Sequence, residues 1–119
     1  MTLTNNTEGS YLSNMECSED HTNSLIKVIC LDEMESVIRG QLFIKMDIEG
    51  AELDALKGAE NVLKKHRPFL AICVYHRKND IIEIPKYLNE LLENYHFYIR
   101  GGFHTILWGV PRELEKRRV

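Results

Sequence analysis

Glycine-rich phosphate loops, paired cysteines, long apolar runs and a basic surplus are all missing from these 119 residues. The glycines, at positions 9, 40, 50, 58, 101, 102 and 109, form neither a Gly-x-Gly-x-x-Gly fingerprint nor a phosphate loop. A nucleotide-type cofactor would have to find such a loop elsewhere. No strained Gly-x-Ser-x-Gly elbow is present for a serine nucleophile. Cys17, Cys30 and Cys73 are odd in number and widely spaced, which excludes a disulfide framework and zinc spacing. Cys30 and Cys73 sit in apolar runs and are expected as buried, reduced thiols, which fits a reducing, cytoplasmic compartment. No stretch approaches the roughly 18–20 apolar residues of a membrane span. The start lacks the charged and then apolar pattern of a signal peptide, so the Asn5-Asn6-Thr7 sequon is read as chance. A net charge of −3 is not that of a nucleic-acid binder.

What remains is ordinary for one soluble domain, with 44% hydrophobic and 28% charged residues. The charges are uneven. Residues 1–36 hold seven acids and one base, and the remainder is mildly basic. Residues 1–24 are polar and read as a leader or loop, residues 25–111 as the domain, and residues 112–119 as a charged tail.

Leu25 to Leu31 is rich in β-branched residues and predicts a strand. Asp32 is placed to cap a short helix from Glu33 to Ile38, with Gly40 just beyond its end. Gln41 to Ile48 predicts a strand whose apolar positions do not alternate, the pattern of a strand covered on both faces. Lys45 interrupts it and implies an edge or a cleft. A turn at Gly50 leads into a single predicted helix, Ala51 to His66. Leu53, Leu56, Ala59, Val62 and Leu63 form its apolar stripe, acids lie in its first turn, and bases lie in its last. Gly58 costs this helix about 1 kcal/mol against alanine and implies close packing on the sheet. Pro68 ends the helix.

Phe69 to Tyr75 is almost wholly apolar and predicts a buried strand. Strand, helix and strand make a right-handed βαβ unit with parallel strands. Asp80 and Glu83 have capping-box spacing ahead of a helix carrying Ile81, Ile84, Leu88, Leu91 and Leu92 up to Tyr95. Pro85 either kinks that helix or starts its main segment. His96 to Arg100, a tight Gly101-Gly102 turn and Thr105 to Val110 predict an antiparallel pair.

Parallel strands bring Asp47, Glu49 and Glu52 to the same sheet edge as Tyr75 and His76, where open α/β sheets bind ligands. The carboxylates could hold a hard divalent cation or act as a general base. They could equally cap the following helix, and His76 could be a solvated loop residue. His21, His66, His96 and His104 lack ligand spacing and read as surface or packing residues.

The run Phe43-Ile44-Lys45-Met46-Asp47-Ile48-Glu49-Gly50-Ala51-Glu52-Leu53, continued by Leu56-Lys57-Gly58-Ala59, closely resembles the signature of the FkbM-type methyltransferases. Leu31-Asp32-Glu33-Met34 is similar to the element before it. Pro68 to His76 resembles the following strand, and Thr105 to Pro111 the closing one. The similarity runs from about Leu25 to Pro111. It implies an α/β fold with a Rossmann-like sheet, of which this chain carries the C-terminal half: parallel strands, a terminal antiparallel hairpin and helices on the faces. The N-terminal cofactor half is expected to be absent. Also implied are S-adenosylmethionine as cofactor, with a divalent metal as an option, and methyl transfer to a hydroxyl of a sugar or small metabolite. Asp47, Glu49 and His76 would then line the acceptor side. His104 departs from the acidic residue expected before Thr105.

Two functional readings follow. One is a methyltransferase, incomplete and inactive as this chain alone. The other is a truncated, non-catalytic relative that acts as an interaction module, pairing through an exposed strand edge.

Overall fold

The computed structural model describes residues 25–115. The predicted leader over 1–24, with Cys17, His21 and the sequon, lies outside the described residues, as do positions 116–119 of the tail.

Four strands form one mixed sheet: β1 (Phe43–Met46), β2 (Phe69–Cys73), β3 (Tyr95–Arg100) and β4 (Ile106–Pro111), in the spatial order β1-β2-β4-β3. β1 and β2 are parallel, with Phe43 beside Phe69 and Met46 beside Ile72. β4 is antiparallel to both its neighbours, pairing Gly109 with Leu70 on one side and with Phe97 on the other. Three α-helices accompany the sheet: α1 (Glu52–Lys57), α2 (Glu60–His66) and α3 (Asp80–Leu91). The predicted parallel pair and the terminal antiparallel pair are therefore both present.

The core explains the layering. Ile44, Met46, Leu70, Ile72 and Leu107 face Leu56, Ala59, Val62 and Leu63 of the α1–α2 region and Ile84 and Leu88 of α3 in one buried cluster. Burying a leucine or isoleucine fully contributes about 1.5–3 kcal/mol, so this stripe of helix residues is what holds the helices on the sheet. Leu53 is only partly buried.

Several predicted details differ. Leu25 to Leu31 is not a strand: residues 25–30 are irregular, and Leu25, Ile26 and Ile29 are 75%, 49% and 41% exposed. β-Branched composition favours a strand only where a neighbour takes the backbone hydrogen bonds, and this segment pairs with no described strand. β1 alternates between exposed and buried residues, so it is covered on one face, and Phe43 is 54% exposed on the other. The position of Lys45 on the outer strand of the described sheet agrees with the expected edge.

The single helix predicted over Ala51–His66 is two helices, broken at Gly58-Ala59. The side chain of Asp32 accounts for the break. Its two carboxylate oxygens accept from the N–H groups of Asn61 (3.1 Å) and Val62 (2.9 Å), the open donors of α2's first turn. Asp32 thus caps α2 rather than its own segment, which forms a 3-10 helix over Leu31–Val37. Gly58 packs closely, but against Cys30 rather than the sheet: a Cβ there would lie 3.2 Å from the Cys30 Sγ. Cys30 is half-buried and Cys73 buried.

α3 begins after Asn79, and Asp80 turns its carboxylate back to accept from the Arg77 N–H at 3.1 Å. Pro85 lies inside the helix, which ends at Leu91 rather than Tyr95. The left-handed Asn94 (φ 57°) then turns the chain into β3. The loop from Gly101 to Thr105 is longer than the predicted two-residue turn.

Candidate functional site

The parallel pairing of β1 and β2 places Asp47 directly beyond one strand end, with Tyr75 and His76 just beyond the other. Between β1 and α1 the chain makes a tight turn. Glu49 has a φ of 58° and Gly50 a φ of 103°, a pair of left-handed residues that reverses the strand into the helix. Arg77 lies over this turn, leaving no room for a Cβ on Gly50: one would sit 3.1 Å from the Arg77 Nε.

Glu52 closes the turn from within. Its side chain is fully buried. Oε1 accepts from the Ile48 N–H and Oε2 from the Gly50 N–H, both at 2.9 Å. A third contact joins Oε1 to His76 Nδ1 at 2.6 Å. A carboxylate only accepts, so Nδ1–H of His76 donates to Glu52 and Nε2 is the nitrogen that faces the cleft.

That Nε2 points at the two strand-end carboxylates. It lies 3.3 Å from Asp47 Oδ1 and 3.7 Å from Glu49 Oε1. His76 is 8% exposed in its side chain, against 44% for Asp47 and 85% for Glu49. One ligand atom from each of the three residues lies within 4.8 Å of the others, a spacing that could hold a metal ion.

Tyr75 adds a donor. Its hydroxyl gives a hydrogen bond to Asp47 Oδ1 at 3.3 Å. Burial pushes its phenol up to about 12, with the charge of Asp47 adding to the effect, so the group stays protonated and donating at neutral pH. The Tyr75 ring packs against His76 (centroids 4.2 Å apart) and, edge-on, against His104 (5.1 Å). Beneath them burial, helped by Asp47, raises the Cys73 thiol, which keeps it neutral rather than nucleophilic.

The structure brings together all three predicted residues, Asp47, Glu49 and His76. It also decides between the readings left open above. No side chain caps α1, whose N-cap is Ala51, so Asp47 and Glu49 are not helix caps. His76 is withdrawn from solvent rather than in a solvated loop. His66 pairs with Glu35 at 2.8 Å, and His96 pairs with Glu115, both away from the site. Two features escaped the sequence reading. Glu52 was grouped with the other carboxylates, but its spacing does not reveal that it grips the imidazole from behind. His104 joins the site through the β3–β4 loop, and nothing in its sequence context signals this.

A family model described as the methyltransferase FkbM domain matches residues 3–97. A crystal structure of a methyltransferase FkbM from Methylobacillus flagellatus KT is similar at 37% sequence identity, with a TM-score of 0.56 over 64% of this chain. The chain spans 22% of that protein's length. No curated protein matches.

Proposed function

Because the chain belongs to the methyltransferase FkbM domain family, we propose that it serves an S-adenosylmethionine-dependent transfer of a methyl group to a hydroxyl of a sugar or other small metabolite. The observation that carries this reading is the Nε2 of His76, backed by buried Glu52 and aimed at Asp47 across the ends of two parallel strands.

The described residues fit the acceptor side of such a site. They do not form a cofactor cradle: the amides of Ile48 and Gly50, in the turn after β1, are already taken by Glu52. When bound, the cofactor supplies an electrophilic methyl group. The residues here act on the acceptor. Asp47 would accept a hydrogen bond from a neighbouring hydroxyl of the acceptor and so fix its direction. Nε2 of His76 would take the proton of the reacting hydroxyl, and Glu52 would stabilise the imidazolium so formed. The rest of the rate comes from holding the oxygen in line with the methyl group. The order β1-β2-β4-β3 supports assignment to the fourth to seventh strands of a Rossmann-like sheet. The buried thiol of Cys73 favours a cytoplasmic setting. No described helix is long and apolar enough to cross a membrane.

The test is transfer of labelled methyl to a panel of hydroxylated metabolites, comparing the protein with its Asp47→Ala variant. A strong loss in a folded variant is expected, and equal turnover would remove Asp47 from the mechanism.

A second reading, an interaction module, is favoured by the half-exposed Phe43 on the outer strand β1. It predicts an association that weakens when Phe43 is replaced by lysine, read by light scattering across a concentration series. A strictly monomeric species would exclude it.

A further inference from the structure

We propose that Asp47, Glu49 and His76 form a binding site for a divalent transition-metal cation, with Glu52 aiming the imidazole from behind. One donor atom from each of the three lies within 4.8 Å of the others. The imidazole is nine-tenths buried and fixed, its Nδ1 committed to Glu52 Oε1 at 2.6 Å. Its free Nε2 lone pair faces two carboxylate oxygens at 3.3 and 3.7 Å. Three acceptors that converge on one gap repel one another until positive charge fills it. Tyr75 reaches into this group as a donor through its hydrogen bond to Asp47.

The donor set selects the cation. Magnesium and calcium prefer oxygen throughout. An imidazole nitrogen beside two carboxylates favours manganese, iron, cobalt or zinc. A buried carboxylate on the far nitrogen of a ligating histidine is the usual support for such a ligand, and its loss weakens metal binding about 10–100-fold. Glu52 stands in that position. The exposure of Asp47 and Glu49 gives the cation a route in from solvent and leaves its remaining positions open.

The inference shares residues with the proposed methyl transfer but does not rest on it, since cation binding is read without cofactor or acceptor. With a cation bound, Nε2 serves as its ligand rather than as the proton acceptor, so these two roles of His76 are alternatives and the titration decides between them.

The experiment is titration of the metal-stripped chain with Mn2+, followed by calorimetry and by loss of the free-ion paramagnetic resonance signal, with Mg2+ as competitor. Saturable binding of one Mn2+ per chain that survives equimolar Mg2+ is expected. Glu49→Gln, at a side chain too exposed to affect folding, should weaken binding about tenfold or more, and Glu52→Gln about 10–100-fold. Absence of saturable binding would overturn the proposal. So would Mn2+ affinity unchanged in both Glu49→Gln and Asp47→Asn, or displacement by equimolar Mg2+. Each of these failures leaves the methyl-transfer reading untouched, because that reading is tested by turnover.

Discussion

Oε1 of Glu52 and Nδ1 of His76 lie 2.6 Å apart, with the carboxylate fully buried and the imidazole nearly so. One residue opens α1 and the other follows β2, so the contact ties the first turn of the crossover to the strand it leads to. It also fixes which nitrogen of His76 faces the cleft. The proposed activity and the local stability therefore share one pair.

His76→Gln keeps a polar side chain but removes the base. The methyl-transfer rate constant is expected to fall about 10²–10⁴-fold, the usual contribution of a general base, while the far-UV circular dichroism stays unchanged. Turnover within threefold of the parent would show that the proton leaves by another route.

Glu52→Ala acts on stability first. It strands the Ile48 and Gly50 amides and the Nδ1 proton of His76. A cost of about 2–4 kcal/mol is expected, since each buried donor left without a partner costs about 1–3 kcal/mol and water entering the gap recovers part of it. Urea denaturation would show it as a lower midpoint at unchanged slope. An unchanged midpoint would mean that the turn holds without its carboxylate.

Gly109 lies where β4 crosses the core. A Cβ there would meet the Phe97 ring at 2.9 Å and Leu70 at 3.2 Å. Gly109→Ala is expected to destabilise by about 1–3 kcal/mol through overpacking. Gly102 has nothing within 4 Å of the same position, so Gly102→Ala should stay within about 0.5 kcal/mol of the parent. Equal melting temperatures for the two variants would contradict this contrast.

Glu113 gives a pH signature. The Arg67 guanidinium, bonded to its carboxylate, holds the carboxyl down at about 2, below its ordinary 4.5. A depressed carboxyl contributes stability that is fully present above the unfolded value and is lost as pH falls towards the folded one. The melting-temperature gap between the parent and Glu113→Gln should therefore be constant from neutral pH down to about 4.5 and close by about 2. It should be small, because the pair is solvent-exposed and screened. A gap that widens with acid would reverse the assignment.

The parts legible in the sequence were those set by a local pattern. The apolar run from Phe69 to Tyr75 contains β2, which stops at Cys73, and Leu56, Val62 and Leu63 do face the core. The parallel crossover followed from these, and it delivered Asp47, Glu49 and His76 to one edge. What stayed hidden depends on distant partners. Leu25 to Leu31 has the residues of a strand but no neighbour to pair with among the described strands. The break between α1 and α2 needed Asp32, nearly thirty residues upstream, to cap Asn61 and Val62. The role of Glu52 needed the left-handed turn at Glu49 and Gly50 to fold the carboxylate back under the strand end. Glycine at 50 signals a turn, but glutamate at 49 does not signal a positive φ.

The insertion of β4 between β2 and β3 has a consequence for synthesis. The strand made last is the one that joins the sheet together. Until Pro111 has left the ribosome, β3 has no described neighbour and β2 has one bare edge. A nascent chain halted before Ile106 therefore offers open backbone to any other strand it meets, and so is a natural client for chaperones. Only once β4 has emerged can β2 and β3 pair along the edges that it covers.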